Sequence, residues 1–148
     1  GISVLYADYC DVTDQDIPDV VKFVNERPNI IEVYLHHNSI TDLGASMLKD
    51  ISVYNLDLNS NYIGDAGAIA ISQIAKLRNL NLNHNQVSNV GVQSLARNKS
   101  IGNLELDHNN FTDDACKAFA ENKTLLNLWI QDNNLTDACL AAISHNRS

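Results

Sequence analysis

Apolar residues in this chain recur with two rhythms joined end to end. A short alternation of every second position is followed by a helical spacing, and the pair repeats along the whole chain. The clearest register marks are Asn38, Asn61, Asn85, Asn109 and Asn133, separated by 23, 24, 24 and 24 residues. Counting from each asparagine, apolar residues stand at minus eight, minus five and minus three. They are Ile30, Val33 and Leu35; Val53, Leu56 and Leu58; Leu77, Leu80 and Leu82; Ile101, Leu104 and Leu106; Leu125, Leu128 and Ile130. Further apolar residues follow at plus two (Ile40, Ile63, Val87, Phe111, Leu135) and at plus ten (Leu48, Ile71, Leu95, Phe119, Ile143). A sixth copy opens the chain, with Cys10 in the asparagine place and Ile2, Leu5, Ala7, Val12 and Val20 at the matching offsets. Its distance of 28 residues from Asn38 predicts a longer helical part in this first unit.

Each offset has a physical reason. Alternation at minus five and minus three predicts a half-buried strand of period two. The asparagine stands where the chain leaves the strand, and its amide both donates and accepts. Stacked asparagines can therefore satisfy loop groups that no ladder reaches. Cys10 brings only a weak S–H donor to that place. The second half of each unit predicts a helix: Thr41-Asp42, Gly64-Asp65, Thr112-Asp113 and Thr136-Asp137 offer N-cap oxygens. The small residues Gly44, Gly67, Gly91, Ala115 and Cys139 let neighbouring helices approach. Asn98, Asn122 and Asn146 recur thirteen residues after the mark, a position expected to take the left-handed conformation beyond a helix end. One strand plus one helix per unit gives an α/β solenoid of about six units. A parallel sheet lines its concave face and helices its convex face, in a single domain over 1–148.

These units resemble leucine-rich repeats of the ribonuclease-inhibitor-like subclass, on stretches such as LHHNSITDLGASML, LNSNYIGDAGAIAI and LNHNQVSNVGVQSL. The short units are similar to those of effector proteins that bacteria inject into host cells, and to the repeats of cytosolic immune receptors. What the resemblance implies is protein binding on the concave face, often by masking a partner's active site. The F-box that some short-repeat effectors add is not seen here.

If minus five and minus three face the core, minus four and minus two face the hollow. The minus-four column reads Tyr6, Tyr34, Asp57, Asn81, Glu105, Trp129, and the minus-two column reads Asp8, His36, Asn59, Asn83, Asp107, Gln131. Beside them, minus one reads Tyr9, His37, Ser60, His84, His108, Asp132. Aromatics at both ends of a polar field are the residue types that anchor protein interfaces. All of these except Ser60 form the expected partner-binding set.

A net charge of −8 argues against nucleic acid and against an anionic membrane, and favours a partner with a basic patch. No apolar run is long enough to span a bilayer. The histidine column invites a metal, but Ser60 interrupts it and no cysteine is near, so no metal site is expected. No Ser–His–Asp or Cys–His arrangement is apparent, and an open curved sheet offers no water-excluded pocket. Neither catalysis nor a cofactor is expected. The three cysteines, Cys10, Cys116 and Cys139, form no disulfide framework and point to a reducing compartment, with Cys116 and Cys139 as small packing residues. Asn98, Asn110, Asn122, Asn134 and Asn146 begin Asn-x-Ser/Thr triplets, which read as a by-product of the repeat.

The chain opens with Gly1 and stops at Ser148, a unit boundary. It is expected to be a fragment, or an array without a C-terminal cap. The functional expectation is a monomeric interaction module, cytoplasmic or delivered by a bacterium into a host cytosol. The alternative is a substrate-recognition or autoinhibitory array within a larger cytosolic receptor or ubiquitin-ligase adaptor.

Overall fold

The computed structural model describes residues 1–144. Six three-residue strands lie in sequence order in one parallel sheet: β1 (Val4–Tyr6), β2 (Glu32–Tyr34), β3 (Asn55–Asp57), β4 (Asn79–Asn81), β5 (Asn103–Glu105) and β6 (Asn127–Trp129). Each is followed by a helix: α1 (Ile17–Asn25), α2 (Asp42–Met47), α3 (Asp65–Ile71), α4 (Asn89–Ala96), α5 (Cys116–Glu121) and α6 (Asp137–Ile143). Short 3-10 turns at Asp14–Asp16 and Asp113–Ala115 lead into α1 and α5. The nine residues of α1 absorb the extra length of the first unit.

The register is constant, so equivalent residues stack. Leu5, Val33, Leu56, Leu80, Leu104 and Leu128 run side by side through the sheet. The predicted apolar offsets are the core: Val33, Leu35, Leu58, Leu82, Leu104, Leu106, Ile40, Ile63, Val87 and Phe111 are all fully buried. Burying one such side chain is worth about 2 kcal/mol, and a unit gains it only by sandwiching between two neighbours. At the ends the burial falls off: Leu5, Leu125, Leu128, Ile130 and Leu135 are partly covered, and Ile2 is exposed. Among the described residues no helix is long and apolar enough to cross a membrane.

The register asparagines act as the sequence predicts. Asn61 Oδ1 accepts the Ile40 N–H at 3.0 Å, and its Nδ2 donates to the carbonyls of Leu35 and Leu58. Asn38, Asn85, Asn109 and Asn133 repeat this bracket, each tying its own strand exit to the preceding unit. In the first described unit the Cys10 thiol, in the asparagine place, donates to the Asp8 carbonyl.

Three expectations on the helical side need correction. Thr41 and Thr136 do cap their own helices, through Leu43 N–H and Ala138 N–H, but Thr112 makes no such bond. The adjacent aspartate instead caps the following unit. Asp42 Oδ1 accepts the N–H groups of Gly64 and Gly67, and Asp65 Oδ1 those of Ser88 and Gly91. Asp113 does the same for Thr136, whose hydroxyl and N–H hold the Asp113 carboxyl below its usual range.

Asn98 and Asn122 do not take the left-handed conformation; Asn122 has φ −75° and ψ 132°. Their side chains are used as bridges. Asn122 Nδ2 donates to Ala96 O of the preceding unit, while its Oδ1 accepts Thr124 and Leu125 N–H. Asn98 bonds Ser72, Ser100 and Ile101 in the same way. Asn146 lies outside the described residues.

Cys116 and Cys139 are not free packing thiols. They form a disulfide between α5 and α6, and Cys10 alone is free among the described residues. The reason is in the register: Cys116 stands where Ala45 and Ala68 stand, and Cys139 where Gly67 and Gly91 stand. A Cβ placed on Gly67 would lie 2.9 Å from Ala45 Cβ. Side chains at these two places of successive units therefore meet, and two cysteines there are within bonding range.

Candidate functional site

The hollow of the sheet is built from every second residue of the six strands. The three-residue strands place minus five in the core, so minus four emerges on the other face with minus six and minus two beside it. Pairing sets the minus-four row directly: Tyr6, Tyr34, Asp57, Asn81, Glu105 and Trp129 stand opposite one another on successive strands. Tyr6 is 71% exposed and Trp129 39%, while Tyr34, Asp57, Asn81 and Glu105 are half-buried by their neighbours. Tyr6 and Tyr34 stack with ring centres 5.1 Å apart and planes 9° from parallel.

The minus-two residues knit adjacent units. Asp8 Oδ1 accepts the His36 N–H and its Oδ2 lies 3.0 Å from His36 Nε2. Asn83 Oδ1 accepts the Asp107 N–H, and Asp107 Oδ1 the Gln131 N–H. Asp57 Oδ1 accepts the Asn59 N–H at 2.9 Å, as Asn81 Oδ1 does for Asn83. Asn83 Nδ2 reaches Glu105 Oε1 at 3.2 Å.

The minus-one column has a conformation that explains its composition. Tyr9, His37, Ser60, His84, His108 and Asp132 all have φ between 54° and 59°. This is the left-handed region, where the chain turns out of the strand and where Asn, Asp and His are enriched. Successive turns stack their rings: Tyr9 on His37 at 4.3 Å and His84 on His108 at 4.1 Å, with His108 Nε2 2.8 Å from Asp132 Oδ2. The histidines thus serve turn geometry and ring stacking. Asp113, Cys116 and Cys139 bring ligand-type atoms within 4.8 Å of one another on the helical side. The two sulfurs are bonded to each other there and offer no thiolate to a metal.

One column of the hollow was not singled out from the sequence. At minus six stand Glu32, Asn55, Asn79, Asn103 and Asn127, a ladder of side-chain amides. Asn55 Nδ2 donates to Glu32 Oε1 at 2.5 Å, and Asn79, Asn103 and Asn127 each donate to the asparagine before. Four asparagines at one register position were the available signal. Between this ladder and the minus-four row lies a shallow depression of about 170 Å³, lined by Tyr34, Asn55, Asp57, Asn79, Asn81 and Glu105. A larger hollow of about 420 Å³ lies on the opposite side, between helix ends, away from these columns.

Electrostatically the hollow is predominantly acidic. Glu32, Asp57, Glu105, Asp8, Asp107 and Asp132 fall in its columns beside the imidazoles of His36, His37, His84 and His108, and among the described residues no Lys or Arg does. Burial raises the Asp57 carboxyl above its ordinary range, against the opposing Asn59 N–H bond and the nearby His36. Burial also raises Glu105, with Asp57 and Asp107 adding to the shift and the Asn83 bond opposing it. Tyr34 is raised by burial and by the charges of Glu32, Asp57 and Asp8.

The expected partner-binding residues are therefore brought together on one accessible face, and along its minus-four row the carboxylates Asp57 and Glu105 stand between aromatics toward both ends. No curated protein sequence matches the chain. Among solved structures, a pollen receptor kinase 3 is similar at 16% identity and a TM-score of 0.45, over 78% of this chain and 68% of that one. An internalin from Listeria monocytogenes is similar at 19% identity and a TM-score of 0.44, over 88% of this chain. The chain spans half the length of that internalin. The profile of the family described as "Leucine rich repeat" matches residues 28–87 and 51–111, more than half of the chain. With the registered units, the parallel sheet and this match, the chain belongs to the leucine-rich-repeat family.

Proposed function

We propose that this protein is a non-enzymatic interaction module that grips one partner protein in the hollow of its sheet. Leucine-rich repeats generally mediate protein–protein contact. The observation that carries the reading is the composition of the hollow: aromatic residues and carboxylates on a parallel sheet, with no Lys or Arg among the described residues in its columns. Aromatic anchors dominate protein interfaces, and an acidic field selects a partner with a basic patch. The same charge disfavours nucleic acid and anionic membranes. The shallow, open depression favours masking or scaffolding of a partner over chemistry on a small molecule. No cofactor is invoked, and the module acts as a monomer.

The short units suggest, by resemblance to the ribonuclease-inhibitor-like subclass, an injected bacterial effector working in a host cytosol. The Cys116–Cys139 bond favours instead a compartment where thiols oxidise. The test is capture of partners by the intact protein and by a Tyr6→Ala, Tyr34→Ala, Trp129→Ala variant whose fold is checked by circular dichroism. Loss of the captured partner is expected. A folded variant that captures the same partner equally well would remove the hollow as the binding face.

A further inference from the structure

The minus-four row has an internal symmetry. Reading across β2 to β6 it runs Tyr34, Asp57, Asn81, Glu105, Trp129: aromatic, acid, amide, acid, aromatic. Each carboxylate has an aromatic ring as its neighbour on the outer side and Asn81 on the inner side. Each also keeps one oxygen without a hydrogen bond among the described residues. Asp57 uses Oδ1 for Asn59 N–H, and Glu105 uses Oε1 for Asn83 Nδ2. Asn81 uses Oδ1 for Asn83 N–H and leaves its Nδ2 without a partner among those residues.

An acid beside a ring is a receptor for a guanidinium. The planar ion pairs with carboxylate oxygens through its N–H fork and stacks on an aromatic face, whereas an ammonium uses the ring less well. The row holds this pairing twice. Adjacent strands lie about 4.8 Å apart, so Asp57 and Glu105, two strands apart, are separated by about 10 Å. A polyproline II segment returns a side chain to the same face every three residues, a rise of about 9 Å. An extended β segment returns one after two residues, about 7 Å, or four, about 13 Å. The polyproline spacing is the one that fits. Between the two cations such a segment presents a backbone carbonyl without an internal partner, which Asn81 Nδ2 is placed to donate to.

Resting on the reading that the hollow binds a protein, we infer that its occupant is a polyproline II segment lying across the strands. It carries two arginines three residues apart, one at Tyr34–Asp57 and one at Glu105–Trp129, with Asn81 bonding the carbonyl between. Charge complementarity supports this occupant, since among the described residues no Lys or Arg falls in the hollow's columns, and only the imidazoles of His36 and His37 bear on Asp57 from within the chain.

The probe is a synthetic peptide, acetyl-Pro-Arg-Pro-Pro-Arg-Pro-amide, titrated into the full chain by calorimetry at low salt. Saturable binding at one site is expected. Asp57→Asn and Glu105→Gln should each weaken it at least fivefold, while Asp50→Asn, which removes the same charge on the helical side, should not. Replacing one arginine by citrulline should weaken binding to the native protein. The same replacement should have little further effect in whichever of the two variants has lost its partner carboxylate. Moving the arginines to adjacent positions should cost severalfold.

Absence of peptide binding would overturn the inference, and so would equal weakening by Asp50→Asn or indifference to Asp57→Asn and Glu105→Gln. If the peptide fails but the triple aromatic variant still loses its captured partner, the hollow remains the interface and only this occupant is wrong. If capture is also unaffected, the wider reading fails with it.

Discussion

Cys139 of α6 occupies the place that Gly67 and Gly91 hold in earlier units, and its sulfur is bonded to Cys116 of α5. The last unit has a neighbour on one side only among the described residues, and its Leu128, Ile130 and Leu135 are incompletely covered. The cross-link supplies there what stacking supplies elsewhere. Closing a loop with a sequence separation of 23 residues stabilises by about 3 kcal/mol on the chain-entropy estimate. Reduction, or a Cys116→Ala, Cys139→Ala variant, should therefore lower stability by about that amount in urea denaturation. The loss should concentrate in amide protection over β6 and α6. An unchanged midpoint with and without reductant would show that the bond contributes nothing to the array.

Gly67 tests the same packing step without sulfur. A Cβ there would come within 2.7 Å of Ile63 Cγ2 and 2.9 Å of Ala45 Cβ. Helix propensity alone favours Gly67→Ala by about 1 kcal/mol, but overpacking costs about 1–3 kcal/mol. Asp42, which caps this unit through the Gly64 and Gly67 N–H groups, would also be pushed aside. A net loss of about 1–2 kcal/mol in denaturant unfolding is expected, and a stabilised variant would mean that the helices can separate freely.

The register asparagines should show a gradient along the array. Asn61→Ala strands the buried Ile40 N–H and removes one of two amide donors from Leu35 O and Leu58 O, which keep those of Asn38 and Asn85. A buried polar group left unpaired costs about 1–3 kcal/mol, so a loss of about 2 kcal/mol is expected. Asn133→Ala removes the same kind of bonds, to Asn109 N–H and to the Leu106 and Ile130 carbonyls, at a half-buried site that water reaches. It should cost visibly less. Equal losses in paired thermal melts would contradict the assignment of the effect to desolvation.

The fold was legible because every unit writes the same physical constraint again. Val33, Leu56, Leu80 and Leu104 alternate with polar neighbours and are buried, and the asparagine at each strand exit has both a donor and an acceptor to place. What the sequence hid lies between units, where residues about two dozen positions apart meet. The Cys116–Cys139 bond, the Asp42 and Asp65 caps on the following helix, and the bridging of Asn122 to Ala96 are all of this kind. Counting cysteines treats them as independent, whereas stacking makes plus six of one unit the neighbour of plus seven in the unit before. The minus-one column invited a metal that was not expected, because Ser60 interrupts it and no cysteine is near; the left-handed φ of 57° at His37 and 55° at His84 and His108 gives the residue type a backbone cause that the sequence did not show. The minus-six asparagine ladder was readable by extending the alternation two residues further back.

The half-buried acids of the hollow should trade stability for binding. In the folded chain the carboxyls of Asp57 and Glu105 hold their protons to higher pH than in the unfolded chain, chiefly because burial disfavours the charged form. As pH rises past the ordinary carboxylate range the unfolded state ionises first, so these groups lower stability through that window and keep it lowered at neutral pH. Asp57→Asn and Glu105→Gln remove the charge and conserve the bonds: Asn81, at the same place in the next unit, already accepts Asn83 N–H as Asp57 accepts Asn59 N–H. Both variants should melt at a higher temperature than the native protein at neutral pH. The difference should vanish near about pH 3, where both carboxyls are protonated in either state. Thermal melts across this range decide the matter. A lower melting temperature at neutral pH would mean that the native charges are engaged within the chain, and that the hollow is not held in reserve for a cationic partner.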